Sequence, residues 1–532
     1  MTRERGFLFR FAFLCSSALL SASSLHGCGA NSILGSEDPA AVTMPPPSLT
    51  PEIYRPQVNE AIGASVSGDA YKARRIYNDI IARDPNSAEA EFCRAEMCLL
   101  ERRNKEAIDF FSKALSKNPQ LEVAYHDRGN AYSNLGLYDK AITDYSVAML
   151  LGPGPVHWLC RARAYVNKEE WEKAIKDANV AISKDPAMAS VYVERAEALA
   201  ALHRESEALA DYSKAISLAD NKAVYYCYRG RHFLDVYQPD KAALDFAEAI
   251  KQNDGKDGHY YYWLGRARLD MEDFDRAAEA LSRSIELAKQ KQDFNSAKSS
   301  EKWLKIVQER KYDFEHAPKE KKYQWAIACS AILFSQNRRG LYSLRGGIPS
   351  LEHSEDEKSR LVSWWGIHSR QDLLDTLKSQ ETGGHNRSWF RIREKLANKQ
   401  GNQLVLSETL RDLDAEQARN RIELVEIYGK RFGDRGLMAW DLCRCICLIR
   451  WGYDVGFLTE DECYTLMMPY ARKLQANYTS WQQLGEEYLV GRNFWSKSEY
   501  ENGRKRTDEA LARLLHLPTS PWVKLPWKTN LE

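Results

Sequence analysis

The sequence predicts an all-α protein: a solenoid of about seven stacked two-helix repeats over residues 58–290, followed by a separate irregular all-helical domain. Three observations predict it. Seven alanines, Ala73, Ala107, Ala141, Ala174, Ala208, Ala242 and Ala277, recur at spacings of 34, 34, 33, 34, 34 and 35 residues. Twelve residues before each stands a second small residue: Ala61, Ala95, Gly129, Ala162, Ala196, Gly230 and Gly265. Past residue 300 the period is gone, strand-type alternation is scarce, and 11 of the 14 tryptophans lie there. A fixed period near 34, with small residues where two helices must touch, marks helix pairs stacked on one another.

At 532 residues the chain is too long for one compact core, so two or more folded units are expected. Lys+Arg is 75 and Asp+Glu 74, a formal net charge of +1, which argues against nucleic-acid binding. Residues 1–28 read as a secretory signal. Arg3, Arg5 and Arg10 precede an apolar run from Phe11 to Leu20, too short for a membrane span. Leu25-His26-Gly27-Cys28 follows and resembles the bacterial lipobox, apart from His26 in a slot that is normally small. The resemblance implies cleavage before Cys28 and its attachment to lipid. Gly29, where Asp would mark inner-membrane retention, implies the outer membrane. An ordinary cleaved signal with an incidental cysteine, or an uncleaved anchor, is the other reading. Residues 29–57 hold Pro39, Pro45, Pro46, Pro47, Pro51 and Pro56 among small and polar residues, the composition of an extended tether.

Each repeat reads as two helices. In the third, Tyr125, Arg128, Gly129 and Tyr132 share one side of a first helix, and Ala141, Tyr145 and Ala148 line the second. The stretch resembles the tetratricopeptide repeat. That resemblance implies a right-handed superhelix whose concave groove binds an extended peptide or helical segment of a partner protein, and it does not imply catalysis. Mapped onto the groove slots of the first helices, it gives His126, Asn130, Asn134, Arg163, Asn167, Arg231, Tyr262 and Arg266, mixed with Glu96, Glu197, Asp235 and Asp270. Amides and guanidinium groups suit hydrogen bonding to a peptide backbone and its termini. Arg94, Arg128, Arg161, Arg195 and Arg229 precede the first small residue in five consecutive repeats. They read either as an electropositive ladder for an acidic ligand or as stems along the seam whose heads pair with neighbouring carboxylates.

Residues 291–321 read as a capping helix and a charged, solvated linker. Over 322–500 two stretches carry a second resemblance: Trp364-Trp365-Gly366-Ile367 on to Gly383-Gly384-His385, and Ala439-Trp440-Asp441-Leu442-Cys443-Arg444 on through Trp451, Gly456, Gln475 and Trp481 to Gly491-Arg492-Asn493-Phe494-Trp495. They are similar to a bacterial family known as domain of unknown function 1266; the resemblance implies an all-helical domain and brings no established activity or catalytic residues. Ser354, Ser369 and Thr459, each with an acid three residues on, mark helix starts. Residues 501–532 form a helix containing Leu511, Leu514 and Leu515, then a Pro- and Trp-rich strap packed back on the domain.

Chemistry in this domain has one candidate pocket: Trp365, His385, Trp440, Asp441, Arg444 and Trp481. His385 is a general base on one reading and a loop histidine in solvent on the other. Asp441 and Arg444, three apart on a helix, either bind a polar ligand between tryptophans or form an intrahelical salt bridge. Cys443, Cys445 and Cys447 do not share one helix face, and structural zinc prefers Cys-x-x-Cys, so they read as small buried apolar residues. A disulfide with Cys463 stays open. Neither metal nor cofactor is expected. These readings predict a non-enzymatic interaction scaffold of the bacterial cell envelope, lipid-anchored in the outer membrane and facing the periplasm. The alternative is an enzyme or small-ligand receptor in the C-terminal domain, delivered by the repeat arm. The alternative for location is the cytoplasm, and the eleven cysteines weigh mildly towards it.

Overall fold

The computed structural model describes residues 55–66, 69–337, 339–381, 383–398, 415–495 and 501–532. The predicted signal with Cys28 lies outside these residues, as does the tether up to residue 54. Arg55, Pro56 and Gln57 instead open the first helix. The described residues are helical, with no strand among them, and they divide into two compact units, 1–229 and 230–532.

The first unit contains α1 (Arg55–Val66), α2 (Ala70–Arg83), α3 (Ala88–Leu100), α4 (Asn104–Lys117), α5 (Glu122–Asn134), α6 (Tyr138–Leu151), α7 (Pro155–Asn167), α8 (Trp171–Lys184), α9 (Ala189–Ala201) and α10 (Glu205–Leu218). Each odd-numbered helix packs on the even-numbered helix that follows it, as the repeat pattern requires. The marker residues show why they are small. Ala73, Ala95, Ala107, Ala141, Ala162, Ala174, Ala196 and Ala208 are wholly buried, and a Cβ on Gly129 would lie 2.7 Å from the Tyr145 ring. The turn inside each pair has a fixed chemistry too. Arg102, Gly136, Glu169 and His203 adopt φ of 59°, 75°, 64° and 59°. The next N–H then reaches back to a carbonyl of the last helical turn: Arg103 to Cys98, Leu137 to Tyr132, Glu170 to Tyr165 and Arg204 to Leu199. This is the Schellman closure, which satisfies carbonyls the helix end would otherwise orphan.

The arginine series resolves towards carboxylates. Arg128 donates from Nε and Nη2 to Asp144, both at 2.8 Å, and from Nη1 to Ser112. Arg161 does the same with Asp177 and Ser146, and Arg195 with Asp211 and Asn179. Each guanidinium thus ties its own second helix to that of the preceding repeat. Arg94 departs from the rule, pairing with Glu91 and the Pro85 carbonyl.

The division between units falls within α11 (Ala223–Asp235). The second unit continues with α12 (Pro239–Gln252), α13 (Gly258–Asp270), α14 (Phe274–Gln290) and α15 (Phe294–Glu315). The charged stretch read as a solvated linker is corrected here. α15 runs through it to Glu315, and Asp313 is wholly buried, accepting from the Tyr342 and Ser343 amides and the Ser343 hydroxyl at 2.9, 2.8 and 2.7 Å. Of the charges in this stretch, Asp313 holds the following loop, while Glu315, Lys319, Glu320 and Lys321 are exposed.

Beyond it lie α16 (Lys321–Ala328), α17 (Ala331–Gln336), α18 (Leu351–Trp365), α19 (Arg370–Glu381), α20 (Asn386–Ala397), α21 (Ala415–Phe432), α22 (Met438–Asp454), α23 (Glu460–Asn477), α24 (Trp481–Trp495), α25 (Glu501–His516) and α26 (Pro521–Lys524). α22 is the centre. Nearly every residue from Ala439 to Asp454 is buried, and α18, α19, α23 and α24 all pack on it. A helix apolar on all sides belongs inside a core. Gly491 lets α24 approach, since a Cβ there would sit 2.3 Å from Trp440 Cβ. The tail straps back on this core: Trp522 stacks on Trp481 at 5.2 Å and donates to the Ala328 carbonyl, and Trp527 Nε1 donates to the Tyr478 carbonyl. The same tail reaches the last repeat of this unit, where Arg513 pairs with Asp270 and Lys524 with Glu272.

Candidate functional site

The groove candidates divide by environment. In the first unit, Asn134 and Asn167 are exposed; Asn134 donates to the side-chain amide oxygen of Asn104 and Asn167 to the Arg163 carbonyl of its own helix. Arg163 is half-buried and paired with Glu194 at 2.6 Å. Asn130 accepts from the Tyr145 hydroxyl at 2.8 Å and donates to Asp127. His126 is 5% exposed, so it offers little to a ligand. Its Nδ1 faces His157 Nδ1 at 3.0 Å, and the far nitrogen of His157 meets Glu122 at 2.6 Å. Burial, with His157 adding to it, pushes the His126 imidazole down to about 3. In the second unit Tyr262 is buried edge-on to Trp263. Arg231 lies over Trp263, and Arg266 over Trp263 and Trp303 at 4.8 and 4.3 Å.

An acidic cluster on these first helices escaped the sequence reading. Tyr77 donates to Glu96, and Asp127 stands beside Glu96. Burial raises both carboxyls well above the usual range. The same two slots hold acids again in the fifth repeat, Glu197 and Glu194, so the acidic positions are themselves part of the repeat pattern.

In the C-terminal helices the structure gathers five of the six pocket candidates and parts the sixth. Asp441, in the first turn of α22, is buried. Its carboxylate accepts from the backbone N–H of His385 and of Asn386 at 3.1 and 3.2 Å, and from His385 Nδ1 at 2.9 Å. Asp441 therefore binds the N-terminus of α20, where helix amides lack partners. Gly384 makes the approach possible: its φ is +43°, and a Cβ would lie 2.7 Å from Asp441 Oδ2. With the Nδ1 proton held by the carboxylate, Nε2 is left as the free nitrogen of a half-buried imidazole.

One turn along α22, Arg444 does not pair with Asp441, so the intrahelical salt bridge is not what the structure shows. Its guanidinium lies 4.2 Å from the Trp365 ring, 4.5 Å from Trp440 and 5.4 Å from Trp495. The His385 ring stands edge-on to Trp440 at 6.3 Å. Trp481 sits elsewhere, stacked among Trp325, Trp522 and Trp527 with its indole N–H on the Leu525 carbonyl. Trp495 takes the wall position that sequence reasoning gave to Trp481. No local pattern says which of two tryptophans on α24 faces a residue far back in the chain.

Cys443, Cys445, Cys447 and Cys463 are buried and unbridged. Burial raises their thiols, to about 12 for Cys447 and Cys463. Among the described residues no cluster of His, Cys, Asp and Glu could hold a metal ion, and no helix is long and apolar enough to cross a membrane. A surface cavity of about 530 Å³ lies between Arg472, Gln475 and Tyr478 and the tail residues Trp527–Glu532, away from His385 and Arg444.

Family models match three parts of the chain. Tetratricopeptide repeat models match residues 59–122, 229–291 and 123–148, and the model described as "Protein of unknown function (DUF1266)" matches 360–527. Two Escherichia coli K12 proteins are similar: YbeR, 27% identical over 146 residues, and YbeU, 28% over 149. These alignments take in 26% and 27% of this chain and span 58% and 59% of the relatives' length. Among solved structures, a tetratricopeptide repeat protein from Parabacteroides merdae is 16% identical at a TM-score of 0.37, covering 47% of this chain and all of that one. TTC0263 of Thermus thermophilus is 21% identical at 0.31, covering 34% and 98%. The chain is thus a run of tetratricopeptide repeats followed by a DUF1266 region.

Proposed function

We propose that this chain is a non-enzymatic protein-interaction scaffold of the bacterial cell envelope, tethered through lipid on Cys28 and facing the periplasm from the outer membrane. Its repeats take an extended or helical segment of a partner protein. The observation that carries the reading is the repeat array itself, supported by the exposed amides on its first helices. Asn134 and Asn167 have weak, replaceable partners, and an amide offers both donor and acceptor to a peptide backbone. The nine cysteines among the described residues are buried and unbridged, which is compatible with an oxidising compartment, because thiols held inside a core do not meet oxidant.

The test is crosslinked affinity capture with the full-length chain in native cells, beside Asn134→Ala/Arg163→Ala/Asn167→Ala. A small set of envelope proteins captured by the native chain and lost from the variant is the expected result. An unchanged set would move recognition away from these helices. Metabolic labelling with an alkynyl fatty acid, expected to vanish in Cys28→Ser, tests the anchor separately. A second reading, a small-ligand receptor in the C-terminal helices, is favoured by the meeting of His385, Asp441 and Arg444.

A further inference from the structure

Two arginines of α22 face the same physical problem and meet it differently. Arg450 is wholly buried, and its guanidinium donates to Ser330 Oγ at 2.7 Å and to the carbonyls of Leu344, Ser343 and Gly340 at 3.0, 2.7 and 3.2 Å. Four of its five in-plane N–H donors have acceptors. Arg444, six residues earlier, is largely enclosed by tryptophan rings, yet it makes no hydrogen bond and no ion pair among the described residues. Its Nη1 is buried without an acceptor, and so is the Nε1 of Trp440 beside it. Arg435 and Arg513 of this unit meet carboxylates, Glu487 and Asp270, whereas Arg310, like Arg444, keeps a guanidinium nitrogen buried without an acceptor.

Ring faces satisfy a guanidinium only from above and below. Contacts of this kind attract the cation but accept none of its in-plane N–H donors, and those on Nη1 are buried with no other acceptor. Taking those donors out of water without acceptors is unfavourable, so an arrangement that persists in this form is one that awaits an acceptor. The nearest carboxylate, Asp441, is already occupied by three N–H groups of His385 and Asn386. Access is provided at the rim, where Trp495 is 52% exposed and Trp365 and His385 are half-buried.

We propose that Arg444, walled by Trp365, Trp440 and Trp495, is the recognition point for an oxyanion, a carboxylate or phosphate group carried by a small ligand, with His385 Nε2 as the neighbouring polar contact. The inference deepens the receptor reading above and is independent of the scaffold reading. A planar fork between flat rings admits an acceptor only along its edge, which suits a bidentate oxyanion. Asp441 is then a positioning residue, fixing the imidazole so that Nε2 faces outwards.

The test titrates the full-length chain with inorganic phosphate and, separately, with acetate, against sodium chloride of equal ionic strength. Tryptophan fluorescence and melting temperature are the readouts. The native chain is expected to show a saturable fluorescence change and a higher melting temperature with at least one oxyanion. Arg444→Lys keeps charge and stem but loses the fork, and is expected to weaken binding about tenfold or more. Arg444→Met is expected to abolish binding with an unchanged far-ultraviolet spectrum. No response beyond the chloride control in the native chain would overturn the inference. So would a response of equal affinity in Arg444→Lys or Arg444→Met, which would leave a receptor with its anion site elsewhere.

Discussion

Asp441 holds two elements together with one carboxylate, because the amides at the start of α20 and the imidazole of His385 all converge on it. Gly384 is what lets them converge. Gly384→Ala adds a methyl against Asp441 Oδ2 and forces a side chain into left-handed backbone. The expected loss is about 2 kcal/mol or more, read as a lower urea midpoint. A second residue-scale prediction concerns pH. Burial and His157 depress the His126 imidazole from the ordinary 6.5 to about 3. The unfolded chain therefore binds a proton that the folded chain refuses between those values. The stability this group contributes is whole above pH 6.5 and is lost as pH falls towards 3, at up to about 1.4 kcal/mol per pH unit. Asp127 on the same helix works in the opposite sense, since burial raises its carboxyl, so the measurement must be a difference. His126→Gln is expected to flatten the fall in unfolding midpoint between pH 6 and 4 relative to the native chain, and an unchanged profile would show that the ring is not the source.

Among elements, the helix pairs were legible because contact between two helices leaves room only for Ala or Gly, and such positions repeat. The partners of the arginine series were just as periodic. Asp144, Asp177 and Asp211 each stand three residues after a marker alanine, and they are the carboxylates that Arg128, Arg161 and Arg195 meet. Arg128→Ala is expected to destabilise the first unit by about 2–4 kcal/mol, because Asp144 is then left buried and unpaired. The double substitution Arg128→Met/Asp144→Leu should recover most of that loss in thermal unfolding. Helix starts were legible where the cap is local. Thr459 and Glu462 form a reciprocal capping box, and Ser369 caps α19 through the Asp372 amide. Ser354 misled, since α18 begins earlier at Leu351 and the Ser354 hydroxyl bonds instead to the Asp454 carbonyl. Its partner lies a hundred residues away, and no cap pattern encodes that.

On the scale of the molecule, the sequence marked where repeats give way to a tryptophan-rich region but not how the second unit is joined. The charge run at 309–322 was read as solvated; much of it is exposed, but Asp313 within it is buried and holds the loop at Tyr342 and Ser343, and farther out Arg513 ties the tail to Asp270 of the last repeat. Long-range pairing of this kind leaves no local trace. The tail is part of that unit's core, so Trp522→Ala, which removes a buried indole and its bond to Ala328, is expected to cost about 3–5 kcal/mol. In calorimetry the substitution should lower the transition of the second unit and leave that of the first in place. The buried cysteines make the same distinction available without any substitution. Cys93, Cys98, Cys160 and Cys227 belong to one unit, and Cys329, Cys443, Cys445, Cys447 and Cys463 to the other. Each thiol is shielded until its own neighbourhood opens, so the native chain carries two sets of clocks. Pulsed alkylation followed by peptide mass spectrometry would read, cysteine by cysteine, which unit opens first and how often.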